Sequence, residues 1–305
     1  MLMTALYFLI GLVGLYFGGN WLVKGAADVA RRYHVPPLVI GLTIVGFGTS
    51  TPELLVSVQA ALDGNSGIAV GSVLGSNISN ILIILGLSAL IAPLSIGFDR
   101  VRGDLVWMVA AALVCVPLFW SGVLARWEGA LLFAAIVVYV GLALRRVGTH
   151  APDDQPIPPV WQSAAYIVVG LVALMVGAQF LVDAAVDIAT AFGVSQAVIG
   201  LTIVAIGTSL PELATSLAAA ARGQRDIAIG NVVGSNVFNI FAILGLTAMV
   251  TPIPIEDPRF LMIDTPLVIG LSVLLTAILF FTGGISRLIG ALFLAGYAVY
   301  VWTLL

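Results

Sequence analysis

The sequence predicts an all-α polytopic membrane protein: ten transmembrane helices arranged as two inverted five-helix repeats. Three observations carry that expectation: long continuous apolar runs, a one-sided distribution of basic residues, and a gapless internal repeat. Hydrophobic residues make up 61% of the 305 and charged residues 9%, where an ordinary soluble chain has about 45–50% and about 25%. This composition excludes a soluble globular enzyme, a disordered protein and a nucleic-acid binder; the expected partner is the lipid bilayer. The net charge of −3 says little, because nearly all the charges fall in short loops.

Each spanning helix needs about 20 mostly apolar residues. The runs place spans at roughly 4–23, 36–61, 67–92, 105–123, 127–144, 162–182, 195–220, 227–250, 266–283 and 288–305. The ten-residue alternation of a membrane β-barrel is absent. The first run is too long for a cleaved leader and has no basic n-region or A-x-A site, so it is expected to stay as a span. The stretch 145–161, polar and carrying Pro152, Pro156, Pro158 and Pro159, is the natural cytoplasmic linker between halves 1–144 and 162–305. Cys115, the one cysteine, lies within an apolar run and reads as a small packing residue.

Threading these spans puts Lys24, Arg31, Arg32, Arg100, Arg102, Arg145, Arg146, Arg222, Arg225 and Arg287 on one side and only Arg126 and Arg259 on the other. The basic side is expected to be cytoplasmic, which leaves both termini extracytoplasmic. The compact chain suggests a prokaryotic inner membrane.

The stretch 41–80, GLTIVGFGTSTPELLVSVQAALDGNSGIAVGSVLGSNISN, repeats at 200–239 as GLTIVAIGTSLPELATSLAAAARGQRDIAIGNVVGSNVFN, with 23 identities in 40 positions and no gap. The offset is 159 residues, so Glu53 matches Glu212, Asn80 matches Asn239 and, upstream, Asp28 matches Asp187. Five spans per half is an odd number, so the second copy enters the membrane from the opposite face. Inverted repeats with interrupted helices are a transporter design, with the site near the bilayer midplane.

Glu53 and Glu212 are the two carboxylates placed inside spans and away from their ends. A charge there costs about 2.5–3.5 kcal/mol on insertion scales, and no Lys or Arg lies deep in any span to offset it. A protonated glutamate bonded to a neighbouring helix is the bland alternative; a matched pair in inverted copies points instead to cation binding. Pro52 and Pro211 sit just before them, and each clashes with the carbonyl four residues back, Gly48 or Gly207, so each helix should kink or break there. Freed carbonyls at membrane depth survive only inside protein or a wet cavity, where they can ligate cations. Thr49 and Ser50 precede Glu53 by four and three residues and should share its helix face, as should Thr208 and Ser209 with Glu212. The next span of each copy adds Ser76 and Asn80, or Ser235 and Asn239, at i, i+4. The glycines of these segments read as close helix packing, and Asn77 and Asn236 as interhelical hydrogen bonding. His34 and His150 fall in or near loops. The candidate donors are all oxygen, which suits hard cations: Ca²⁺, Na⁺, or Mg²⁺ and Mn²⁺. Two carboxylates could equally hold two protons.

The paired GTS-x-PE segments, each followed by G-[SN]-V-[LV]-GSN-x-x-N, resemble the two α-repeats of the sodium/calcium exchanger family, and the resemblance covers essentially the whole chain. It implies an antiporter that moves Ca²⁺ against Na⁺ by alternating access, with the first and sixth spans sliding against the other eight. By position it implies Glu53 and Glu212 as central ligands, with Thr49, Ser50, Thr208 and Ser209 around them. It also implies carbonyls of Gly46 and Ala205 at flanking Na⁺ sites beside Ser76 and Ser235, with Asn80 and Asn239 completing the set. Some family members carry aspartate where this chain has Asn239, which leaves the coupling ion and stoichiometry open. H⁺-coupled exchange of Ca²⁺ or another divalent ion is the nearest alternative and a cation channel a more distant one. No G-x-S-x-G, H-E-x-x-H or Asp dyad supports an intramembrane hydrolase, so no enzyme activity, no cofactor and no obligate protein partner is expected.

Overall fold

The computed structural model describes residues 2–145, 158–192 and 205–303. Helix α1 is Leu2–Arg32. Helix α2, Pro37–Thr49, continues after a break into α3, Thr51–Leu62, at an angle of 43°. Next come α4 (Ser66–Ile91), α5 (Phe98–Trp120), α6 (Arg126–Leu144) and α7 (Val160–Ala191). A short α8 (Ala205–Thr208) leads through Ser209 into α9 (Leu210–Ala221). The chain ends with α10 (Arg225–Val250), α11 (Phe260–Thr282) and α12 (Arg287–Trp302). Among the described residues, seven of these helices are long and apolar enough to cross a membrane, eight if the bent α2–α3 pair is one span; α12 is apolar but shorter. Among the described residues the remaining regular structure is four two-residue strands, β1 (Leu94–Ser95), β2 (Val123–Leu124), β3 (Ile253–Pro254) and β4 (Gly284–Ile285). They pair antiparallel as β1 with β4 and β2 with β3, so each pair joins the two halves of the chain.

The helix boundaries depart from hydropathy in one informative way. The apolar runs end near 23 and 182, yet α1 continues to Arg32 and α7 to Ala191. Both extensions stay helical while carrying charge: Lys24, Asp28 and Arg31 on α1, Asp183 and Asp187 on α7. Hydropathy marks where the apolar stripe stops, whereas the helix ends only where its backbone does. For α1 that is before Pro36 and Pro37, since a residue before proline is pushed out of the helical region.

Helices α1 and α7 pack antiparallel along a glycine seam. A β-carbon on Gly11 would meet the Gly177 carbonyl at 2.9 Å, one on Gly18 the Gly170 carbonyl at 2.9 Å, and one on Gly25 the Ser163 carbonyl at 2.7 Å. The backbones therefore touch, with no room for a side chain. A second close crossing sets α2 on α10, where a β-carbon on Gly234 would lie 2.5 Å from the Leu42 carbonyl and one on Gly230 2.7 Å from that of Leu38. Residues 193–204, and with them the start of the expected seventh span, lie outside the described residues. So does most of the expected linker, including His150. His34 is described, with a left-handed φ of 53° after α1.

The core lies on α4 and α10. Val73, Leu74 and Ile78 of α4 and Ile227, Val232 and Val237 of α10 are buried. So are the polar side chains Ser76, Asn77, Asn80, Asn231, Ser235, Asn236 and Asn239 between them. Both helices carry one turn of π geometry, at Asn80–Leu85 and Asn239–Leu244. The two turns occupy matched places in the repeat, and each opens on a candidate site asparagine.

Candidate cation site

The break anticipated from Pro52 and Pro211 is present in both copies. Ser50 (φ −83°, ψ 6°) and Ser209 (φ −88°, ψ 6°) leave the helical region, and each proline then sits in the first turn of the following helix. There its missing N–H costs nothing. The break puts Glu53 in the first turn of α3 and Glu212 in the first turn of α9, where the N-terminal ends of the helix dipoles favour negative charge. Both side chains are 1% exposed.

The broken backbone also changes which hydroxyl serves which carboxylate. Local spacing pairs Ser50 with Glu53 and Ser209 with Glu212, as on a continuous helix. In the structure the pairs cross between copies: Ser50 Oγ donates to Glu212 Oε1 at 2.8 Å, and Ser209 Oγ to Glu53 Oε1 at 3.2 Å. Thr49 lies beside Glu212 and Thr208 beside Glu53 in the same crossed sense. Ser76 Oγ lies 3.2 Å from Ser209 Oγ, which joins α4 to the cluster. The mate of Ser76, Ser235, is fully buried with an unpartnered Oγ. Gly46 is buried, and its carbonyl accepts from the Ser50 N–H at 3.1 Å. Ala205 opens α8.

The asparagines form a second layer. Asn80 Nδ2 donates to Asn236 Oδ1 and Asn239 Nδ2 to Asn77 Oδ1, both at 2.9 Å. Asn77 Nδ2 donates to the Asn236 carbonyl at 3.3 Å and Asn236 Nδ2 to the Asn77 carbonyl at 3.5 Å. Asn77 and Asn236 thus make the interhelical hydrogen bonds expected of them, directly against the site amides.

One residue escaped the sequence reading. Asn231 accepts from Thr49 Oγ1 at 3.2 Å and donates to the Glu212 carbonyl at 3.2 Å and to Ser216 Oγ at 2.9 Å. It ties the hydroxyl of one copy to the carboxylate-bearing turn of the other. The matching position holds Ser72, which bonds only locally to Ser57 and the Ala69 carbonyl. A polar difference between otherwise near-identical copies was the available signal.

Buried oxygens without partners define what the cluster can do. Glu53 Oε2, Glu212 Oε2, Asn80 Oδ1, Asn239 Oδ1 and Ser235 Oγ have no hydrogen-bond partner. Each such buried polar atom costs about 1–3 kcal/mol if left unmet. The ion pairs Arg31–Asp28, Arg100–Asp226, Arg102–Asp99 and Arg259–Asp264 lie near helix ends, and none of them reaches either glutamate. Among the described residues no three His, Cys, Asp or Glu side chains converge. Neutral oxygens must therefore complete any coordination shell around two carboxylates. Two carboxylates and neutral oxygens, with none of these ion pairs supplying a cation to them, suit a hard cation with flexible oxygen coordination.

Comparison with known proteins agrees with this chemistry. The family model described as sodium/calcium exchanger protein matches residues 3–145 and 162–305. The putative antiporter CaxA of Alkalimonas amylolytica is 41% identical over 83% of this chain and 82% of its own length. The sodium/calcium exchanger MaX1 of Methanosarcina acetivorans is 30% identical over 97% of each. A solved structure of the sodium-calcium exchanger NCX_Mj, soaked with zero Na⁺ and Ca²⁺, superimposes with a TM-score of 0.87 at 34% identity, covering 100% of this chain and 99% of that one. Two copies of one sequence motif, a helical fold with several apolar spans and matches along nearly the whole chain lead to one conclusion: this is an integral membrane protein of the sodium/calcium exchanger family.

Proposed function

We propose that the chain is a secondary antiporter exchanging Na⁺ for Ca²⁺ by alternating access. In this reading ten spans form two inverted five-helix repeats, 1–144 and 162–305, joined by a cytoplasmic linker, with both termini extracytoplasmic. Each copy would contribute one broken span, α2–α3 or the span ending in α8–α9. Their breaks meet where Ser50 reaches Glu212 and Ser209 reaches Glu53. Glu53 and Glu212 are the central ligands. Thr49, Ser50, Thr208, Ser209, Ser76, Ser235, Asn80, Asn239 and the Gly46 and Ala205 carbonyls complete overlapping positions for one Ca²⁺ or for Na⁺ ions.

The observation that carries the reading is the set of unpartnered buried oxygens on Glu53, Glu212, Asn80 and Asn239. Two carboxylates neutralise one divalent ion or two monovalent ones, so Ca²⁺ and Na⁺ compete for one site and occupy it alternately. Left without ions, the site would carry uncompensated charge at low dielectric, which opposes crossing in the empty state. That penalty converts competition into obligatory exchange.

The test is ⁴⁵Ca²⁺ uptake into Na⁺-loaded proteoliposomes at clamped pH. Uptake should require the outward Na⁺ gradient and vanish when choline replaces Na⁺. Uptake that ignored Na⁺ but followed a pH gradient would replace Na⁺ by H⁺ as the coupling ion. Flux that proceeded without any counter-ion would point to a channel.

A further inference from the structure

Asparagine side chains are nearly symmetric in shape but opposite in polarity at their two ends. An amide next to a cation helps only if its oxygen faces the ion; turned by 180° it presents two N–H donors and repels it. Something must therefore set the orientation of Asn80 and Asn239.

The hydrogen bonds around them do so in a fixed order. A peptide carbonyl can only accept. The Asn236 carbonyl faces the Asn77 amide at 3.3 Å, and the Asn77 carbonyl faces that of Asn236 at 3.5 Å. Each of these amides must therefore turn its Nδ2 toward the carbonyl, which leaves its Oδ1 on the opposite side. Those oxygens meet the amides of Asn239 and Asn80 at 2.9 Å. An acceptor there demands a donor, so Asn239 and Asn80 must turn their Nδ2 ends outward from the site. Their Oδ1 atoms are then the ones left buried and unpartnered. Both residues are 1% exposed, with Asn77 and Asn236 at 0% and 1%, so water cannot compete for these bonds. The relay crosses between copies: Asn77 sets Asn239, and Asn236 sets Asn80.

We propose that Asn77 and Asn236 are positioning residues for ion binding: each fixes the amide of the opposite copy so that Asn239 and Asn80 present only oxygen to the transported cation. The inference rests on the cation site proposed above and adds two residues that touch no ion. It also explains why an uncharged amide can serve there, since its polarity is locked.

The test is a pair of double-mutant cycles, read as the apparent KM for Ca²⁺ in Na⁺-driven uptake. Asn77→Ala should raise the KM about tenfold with the maximal rate retained, the size of one misdirected hydrogen-bonding group. In an Asn239→Ala background, which has no amide to orient, Asn77→Ala should add nothing. Asn236→Ala and Asn80→Ala form the mirror cycle and should behave alike. KM costs that simply add in the cycles of folded variants overturn the proposal, because they would mean that Asn77 and Asn236 act independently of the amides. Failure of both Asn77→Ala and Asn236→Ala to yield folded protein assigns them a structural role and overturns it equally. Glu53→Gln in the same assay separates the two levels. Abolished flux in Glu53→Gln together with additive cycles removes only this inference, whereas normal flux in Glu53→Gln removes the site itself and the inference with it.

Discussion

Helices α7 and α10 are both strongly apolar, yet they live in opposite surroundings. Every residue in the most apolar 18-residue window of α10 is buried, against 22% in that of α7. Hydropathy ranks them the wrong way round for burial, because α7 has the higher mean, 2.3 against 1.8. The difference lies in what each helix needs from its neighbours. Helix α10 carries Asn231, Ser235, Asn236 and Asn239, which must be hydrogen-bonded and shielded, so the rest of the bundle closes around it. Helix α7 packs on α1 along glycines and turns residues such as Val168, Val172 and Val176 outward. Helix α10 thus carries side chains proposed above as ligands, and α7 belongs with α1 to the pair that the proposed alternating access would slide.

The largest test of that contrast joins gate to core. A β-carbon on Gly19 of α1 would stand 3.4 Å from that of Ala218 on α9 but 2.8 Å from the Ala214 carbonyl, so Gly19→Cys/Ala218→Cys brings the two sulfurs near disulfide range only once α1 shifts slightly. Oxidised Gly19→Cys/Ala218→Cys protein should lose nearly all of the exchange that the reduced double variant retains; Cys115 is buried and should not interfere. Undiminished flux in the cross-linked protein would mean that α1 does not move against α9. A smaller effect is expected within the gate. On Gly170 a β-carbon would meet the Leu22 backbone nitrogen at 2.6 Å, so Gly170→Val must push α1 away. Overpacking of this kind costs about 1–3 kcal/mol and should lower the thermal midpoint in detergent. Gly141→Ala on α6, where an added β-carbon would meet no described atom of another element within 4 Å, should not lower it.

The smallest effects belong to the core hydroxyls. Ser50→Ala removes the 2.8 Å bond to Glu212, and Ser209→Ala the 3.2 Å bond to Glu53. Each should weaken Ca²⁺ affinity by about 1 kcal/mol, or several-fold in KM, with Ser50→Ala the more costly. Equal or absent effects would show that the crossed pairing contributes nothing to ion affinity.

Much of this architecture was legible in the residues. Pro52 and Pro211 announced the broken helices, because ring geometry acts locally and does not depend on the fold. Glu53 and Glu212 stood out because a carboxylate in an apolar run needs a reason. The cross-copy pairing was not legible: spacing on an ideal helix assigns Ser50 to Glu53, and only the break hands it to Glu212. The π turns beginning at Asn80 and Asn239 were invisible as well, since one residue added to a turn leaves the apolar pattern of NILIIL and NIFAIL unchanged. The charged ends of α1 and α7 were missed because hydropathy measures apolar side chains, whereas these turns stay helical with polar contacts such as Lys24 to Tyr166 and Gln179 to Asp183.

The most direct measurement of the central claim is Ca²⁺ titration of purified protein by calorimetry, with and without Na⁺, for wild type, Glu53→Gln and Glu212→Gln. The account predicts saturable Ca²⁺ binding in the wild type, displaced by Na⁺, and lost in either variant while both still unfold cooperatively at a normal temperature. Ca²⁺ binding that survived in Glu53→Gln and Glu212→Gln, with Na⁺ still competing, would contradict it and place the cation elsewhere in the molecule.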